Sequence, residues 1–290
     1  MAIIFKTLND NADPTFNQDL GINDKGEIAG YFGSGTPATV HPNKGYTLTP
    51  NYNQGDYHNE NFPGSNQTQV TGLNNWGLTV GFWADPNGDN FGFAEYHGHF
   101  EAIFDPNAPT PVWGTPSVQQ LLGVNDYGRA AGFYTDANGN NHGFVFDIAK
   151  GSFDAVNVAG FSSVTATGIN NAGDVSGFVS NGGGSIGFVR EDSGRFDWLT
   201  GPQGASNIQA LGLNNEHQVV GSFVGSDGNT HGFLYSLQGH NYVTIDDPNA
   251  AGSTVANGLN DKGQVVGFYL DHAGNTDGML VQFTGDHKSS

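Results

Sequence analysis

Forty-five glycines in 290 residues would suggest low complexity if they were unpatterned, yet they recur at set offsets among 21 phenylalanines and 10 tyrosines, enough apolar mass for a packed core. A net charge of −19 opposes contact with phosphate backbones and anionic headgroups, so no nucleic-acid partner and no membrane insertion are expected. The absence of cysteine excludes disulfides and thiolate metal sites, no run reaches transmembrane length, and the opening Met1-Ala2-Ile3-Ile4-Phe5-Lys6 lacks the pattern of a signal peptide.

The first predicted element, residues 5–12, resembles residues 242–249, which read as an outer strand with its exit loop. Six copies of one unit follow, Gly-aliphatic-Asn-(Asn/Asp)-x-Gly, an apolar stretch, Gly-aromatic, a loop and a second Gly-aromatic or Gly-Met pair. Their opening glycines are Gly21, Gly72, Gly123, Gly168, Gly212 and Gly258, spaced by 51, 51, 45, 44 and 46 residues, the period of a propeller blade. Within residues 206–247, strands are predicted at 207–213, 218–223, 231–235 and 242–246, a four-stranded meander. The first turn carries the Asn, Asp and Gly residues that accept positive φ in tight hairpins, with His217 replacing the usual glycine. Glycines inside strands, such as Gly132 and Gly143 beside Phe133 and Phe144, are read as gaps into which an aromatic ring packs against backbone.

The last copy stops after its third strand, residues 278–283, so the chain opens with the strand that its end lacks. The expectation is a single all-β domain over residues 1–290: a six-bladed β-propeller of four-stranded antiparallel blades, the last blade closed by an N-terminal strand at about residues 3–8, with a mobile tail at 286–290.

The unit Gly-Ile-Asn-Asn-Ala-Gly-Asp-Val-Ser-Gly-Phe at 168–178, with His142-Gly143-Phe144 and His231-Gly232-Phe233, resembles the bacterial extracellular repeats named for a His-Ala-Phe tripeptide, the HAF repeats. Gly stands here in place of Ala throughout, and His at only two of six positions. The resemblance implies an extracellular or periplasmic propeller-like protein and transfers no catalytic motif; a cytoplasmic location stays open.

Candidate chemistry is sought where the copies differ. Three residues before the repeat glycine stand Gln18, Gln69, Gln120 and Gln209, with Thr165 and Val255 in the other copies, a partial ring of amides suited to hydroxyl-rich ligands or to bonding the neighbouring backbone. Asp19 adds a carboxylate beside Gln18, and Trp113, among Pro106, Pro109 and Pro111, offers a stiffened ring for stacking on a sugar. The second-to-third strand loops hold Asp85, Asp89, Asp136 and Asp271, whose oxygens could coordinate calcium, but the loops are too short for an EF-hand and lack its distal bidentate Glu, so they read first as plain hairpin turns. His58 and Glu60 share one side of an outer strand and read as solvated edge polarity; His97-Gly98-His99 reads as a surface turn; Trp83 and Trp198 read as packing residues. No Gly-x-Ser-x-Gly, His-Glu-x-x-His or phosphate-loop pattern occurs.

The reading that follows is non-catalytic recognition of a glycan or other small polar ligand at the channel mouth, by Gln18, Asp19, Gln69, Trp113, Gln120 and Gln209, with no cofactor unless calcium occupies the Asp loops. Two alternatives remain at this level: a propeller enzyme of hydrolase, lyase or cyclase type using a mouth carboxylate or His, and a structural or adhesive surface protein.

Overall fold

A computed structural model describes residues 2–37, 39–111 and 116–284. It is all-β apart from one 3-10 turn at Gln54–Asp56. The first meander comprises Asn17–Ile22, Ile28–Phe32, Lys44–Leu48 and Tyr57–Asn59, and the second Gln67–Leu73, Thr79–Ala84, Asn90–Tyr96 and His99–Ile103. The third is Gln119–Val124, Arg129–Thr135, Asn141–Asp147 and Ser152–Val156; the fourth Ser163–Ile169, Val175–Ser180, Ser185–Arg190 and Phe196–Leu199. The fifth is Ser206–Leu213, Gln218–Val224, Thr230–Ser236 and Asn241–Ile245; the last has Ala250–Leu259, Val265–Asp271 and Thr276–Thr284. The N-terminal strand Ala2–Leu8 supplies its fourth, pairing antiparallel from Ala2 opposite Thr284 to Leu8 opposite Gly278. That register covers the hydrogen-bonding edge on which another chain would otherwise add.

The fold is propeller-like, but it does not divide into six separate sheets as the sequence leads one to expect. Four meanders are separate four-stranded sheets, while the fifth and the last form one eight-stranded sheet. The physical reason is local: Ala250–Leu259 extends far enough outward for Ser253 to pair in parallel with Thr230.

Apolar cores lie between meanders rather than within them. Ala131, Val145 and Val156 of the third pack with Val164, Ala166 and Phe188 of the fourth, and Leu8, Val266 and Leu280 of the last pack with Ile22, Ile28 and Leu48 of the first. Phe93, Phe188 and Phe233 are fully buried, each contributing about 1.5–3 kcal/mol relative to an exposed ring. Each fits because a second-strand glycine leaves room: a Cβ on Gly81, Gly177 or Gly221 would stand 2.8–2.9 Å from its ring.

Every inner strand carries the same irregularity. The register with the second strand shifts between Asp19 and Gly21, Val70 and Gly72, Leu121 and Gly123, Ala166 and Gly168, Ala210 and Gly212, and Ala256 and Gly258. The extra residue of each bulge is therefore Leu20, Thr71, Leu122, Thr167, Leu211 or Asn257, and all six line a central cavity of about 80 Å³. Leu alternates with Thr or Asn around it. Thr71, Thr167 and Asn257 turn to the next inner strand and donate to the carbonyls of Leu121, Ala210 and Leu20, at 2.8, 2.8 and 2.9 Å. The repeat glycines meet here: a Cβ on Gly21 would lie 3.0 Å from Gly72 Cα, and this contact passes from copy to copy until Gly258 meets Gly21, also at 3.0 Å.

Candidate functional site

The turn after each inner strand begins with Asn23, Asn74, Asn125, Asn170, Asn214 or Asn260, all buried. Asn74 shows what that side chain does. Its Oδ1 accepts from the amides of Trp76 and Leu78 at 2.9 and 3.0 Å, closing its own turn, while its Nδ2 donates to the Asn125 carbonyl at 3.0 Å. The same side-chain-to-backbone bond joins every neighbouring pair at 2.9–3.4 Å, and Asn260 returns it to Asn23. A second closed ring is built on the next residue. The backbone amides of Asp24, Asn75, Asp126, Asn171, Asn215 and Asp261 each donate to the following side chain at 2.8–2.9 Å, with Asp261 donating back to Asp24.

These twelve residues line a polar recess of about 80 Å³ at the turn end of the channel. Asn75 Nδ2 bridges the carboxylates of Asp24 and Asp126 at 2.9 and 3.0 Å, and Asn171 adds a second amide to Asp126 at 2.9 Å. Amides thus hold the carboxylates in place in an otherwise repulsive mouth. The third turn residue is free to vary. It is Lys25, Trp76, Tyr127, Ala172, Glu216 and Lys262 in order round the rim. Trp76 and Tyr127 occupy successive turns and are 67% and 72% exposed, the two most exposed large hydrophobic side chains among the described residues. The recess therefore has an aromatic side, and a basic side where Lys25 and Lys262 stand exposed.

The residues singled out from sequence lie elsewhere. Asp19 does not face a mouth: it is fully buried, it occupies the position held by Val70, Leu121 and three alanines in the other copies, and its Oδ1 accepts from the Tyr46 hydroxyl at 2.8 Å. Its Oδ2 has no partner, and burial raises its carboxyl well above the usual range. Gln18 accepts from Tyr31 at 2.8 Å and Gln69 donates to Asn43 at 3.0 Å, both half-buried, as are Gln120 and Gln209. None of the four lines the central cavity, because the bulge gives that place to the residue before the glycine. Trp113 lies outside the described residues.

The loop aspartates are not brought together either. Asp85 Oδ1 accepts from the amides of Asn87 and Asp89, Asp136 Oδ1 from Asn138 and Asn140, and Asp271 Oδ1 from Ala273 and Asn275, all at 2.7–3.0 Å. Each closes its own hairpin, and Asp89 is buried with its Oδ1 on the Ser117 amide at 2.6 Å. These bonds, with His142 on Asp136, hold Asp136 and Asp271 below the usual carboxylate range. Among the described residues no three His, Asp or Glu side chains converge as a metal would require.

Glu60 also departs from its reading as solvated edge polarity. It accepts from the Thr79 hydroxyl, which stands 3.3 Å from the buried Glu95, and burial pushes its carboxyl up to about 7. His58 is exposed on the outer strand. His97 sits at φ 52° in the turn before His99, and Trp83 stacks on Phe62 with ring centroids 4.3 Å apart. Trp198 packs against Phe196. The aromatic rim was missed because its residues fall at the variable turn position; the signal was Trp76 and Tyr127 in consecutive copies of a turn that elsewhere carries Lys, Ala or Glu.

No helix among the described residues is long and apolar enough to cross a membrane. No protein-family model matches the chain, and no curated protein does. Solved structures of similar fold include a putative TolB from Agrobacterium tumefaciens, at 10% identity with a TM-score of 0.61, covering 98% of this chain and 99% of that one. TolB from Acinetobacter baumannii is similar at 13% identity and a TM-score of 0.56, over 90% of this chain and 64% of that one. A mutant of the Aleuria aurantia lectin in complex with Fucα1-6GlcNAc is similar at 10% identity and a TM-score of 0.53, over 95% and 98%. At these identities the likeness is one of fold, and the chain is an all-β, propeller-like protein.

Proposed function

We infer that the protein is a six-bladed propeller that binds a glycan without chemical conversion, at the turn end of its channel. The count treats the eight-stranded sheet as two blades joined by the single pair Thr230 and Ser253, and it agrees with six bulges and a ring of six asparagines. The observation that carries the binding reading is the exposed pair Trp76 and Tyr127 beside a preformed ring of amides and carboxylates. Aromatic faces stack on the C–H face of a sugar, and the fixed amides exchange hydrogen bonds with its hydroxyls at little ordering cost. A lectin with a bound disaccharide among structures of similar fold supports the class, and the HAF-like repeats support a location outside the cytoplasm.

Binding is favoured over catalysis by the state of the buried Asn ring. Its side chains are committed to one another and to the turns, and the carboxylates of Asp24, Asp126 and Asp261 already accept from Asn75, Asn171 and Asn215, so the mouth offers fixed hydrogen-bonding groups with no His beside a carboxylate among its described lining residues. A glycan array probed with the intact protein, followed by titration of Trp76→Ala and Tyr127→Ala, tests this. Each substitution is expected to weaken binding by about 1–3 kcal/mol without shifting the melting temperature. Undiminished binding by both variants, or no glycan retained by the wild type, overturns the reading.

A further inference from the structure

A second cleft lies between the fifth and last meanders, on the face opposite the Asn ring. It encloses about 200 Å³ between Asn229, Thr230 and His231 on one side and Asp246, Asp247, Ala250 and residues 252–254 on the other. Its chemistry belongs to one copy. The residue before the third-strand glycine is Lys44, Phe91, His142, Ile186 and Asp277 in the other five, and only His231 meets a carboxylate from the following connection.

Three features define what the cleft accepts. His231 is clamped, with Nδ1 3.0 Å from Asp246 and Nε2 3.2 Å from Asp227, so neither ring nitrogen is left to serve a ligand. Against the opposing effect of burial, those carboxylates raise its imidazole. Asp247 is 3% exposed, anchored by its amide on Thr254 Oγ1 at 3.1 Å and by its Oδ1 accepting from Asn249 at 2.9 Å, while its Oδ2 has no hydrogen-bond partner. A buried acceptor left without a donor favours whatever ligand group supplies one. Finally, among the described residues no Lys or Arg lines the cleft, and the one basic side chain there is His231, which Asp227 and Asp246 already hold. The Thr230 and Ser253 pairing ties the two walls together, so the cleft is preformed.

We propose that this cleft is a second ligand site, which takes a small hydroxylated molecule bearing a protonated amine. The ammonium group donates to Asp247 Oδ2 and faces the Asp246 carboxylate; Asn229, Thr230 and Ser253 supply partners for hydroxyls. A metal ion fits less well, since no third ligand side chain converges there among the described residues. The site is separate from the Asn ring and stands or falls independently of it.

Titration calorimetry of the intact protein with glucosamine, N-acetylglucosamine and glucose provides the test. Glucosamine is expected to bind saturably and the two neutral sugars at least 10-fold more weakly, because acetylation removes the charge while keeping the hydroxyls. Asp247→Asn, which keeps the shape of the side chain, and Asp246→Asn at the exposed rim should each weaken glucosamine binding at least 10-fold; Glu101→Gln, an exposed carboxylate on the outer strand His99–Ile103 of the second meander, should leave it unchanged. Equal binding of the three sugars, no binding of glucosamine to the wild type, or full affinity in both Asn variants would overturn the proposal.

Discussion

Thr79 has one proton to donate and two carboxylates beside it, the half-buried Glu60 and the buried Glu95. Glu95 also accepts from the Gly98 amide, whereas Glu60 has only the Thr79 hydroxyl among the described residues; burial, with the Glu95 charge nearby, outweighs that bond and raises Glu60 from 4.5 to about 7. A folded-state value above the unfolded one means that the folded state holds the proton more tightly. The stabilisation is complete below pH 4.5 and is lost as the pH rises from there through about 7. Glu60→Gln, which keeps the acceptor and removes the titration, should match wild type near pH 4 and exceed its stability by on the order of 2 kcal/mol at pH 8. Urea unfolding of both proteins at pH 4, 6 and 8 checks this; an unchanged difference across the series would place the proton elsewhere. This trio was illegible in sequence, since Glu60 lies 19 residues from Thr79 and its alternation with His58 shows only that they share a side of a strand, not what that side meets.

At the scale of the strand, most of the architecture was written in the repeat: the period, the turn chemistry, the meander and the second-strand glycine, such as Gly132, that receives an aromatic ring; the third-strand Gly143 instead meets Val164 and Ala166 of the next inner strand. The bulge was not written there. Its extra residue is Leu, Thr, Leu, Thr, Leu and Asn in turn, with no shared chemistry to mark it, so the glutamines two positions earlier took its place as channel residues in the sequence reading. The glycine that follows is where the inner strands touch. Gly123→Ala would put a Cβ 2.9 Å from Thr167 O and 3.1 Å from Gly168 Cα, both backbone atoms of the next strand. Neither yields without moving a whole meander, so a loss of about 1–3 kcal/mol is expected. Gly55→Ala meets nothing within 4 Å and serves as the control, expected within about 0.5 kcal/mol of wild type. Chemical denaturation of the pair distinguishes ring contact from a general penalty for removing glycine.

For the whole molecule, closure was legible because residues 5–12 repeat the outer strand that the last copy lacks. The binding face was less so: the candidate rim depends on which side chains escape the core, and that follows from the bulge and the turn ring rather than from any local pattern. Deleting residues 1–8 should uncover the Thr276–Thr284 strand and remove Leu8, fully enclosed with Leu280 and Tyr46, from the seam between the last and first meanders. Loss of such a side chain alone is worth about 2–5 kcal/mol. The truncated protein is expected to melt earlier and to self-associate on a sizing column; wild-type behaviour on both counts would show that the strand contributes little to closure.

The pairing of Ala2–Leu8 with Thr276–Thr284 also orders events during synthesis. At about 5–20 residues per second, the partner leaves the ribosome roughly 15–60 s after the strand it must receive. Through that interval the open edge of the leading segment and its Ile3 and Phe5, which pack against the last meander, have no native partner, and the Asn23 carbonyl must wait nearly as long for the amide of Asn260. Five junctions can assemble as translation proceeds, whereas the sixth is settled only at its end. Nascent chains stalled before residue 276 should therefore be the ones that recruit holdase chaperones, and the earliest strand made is the last to be sheltered.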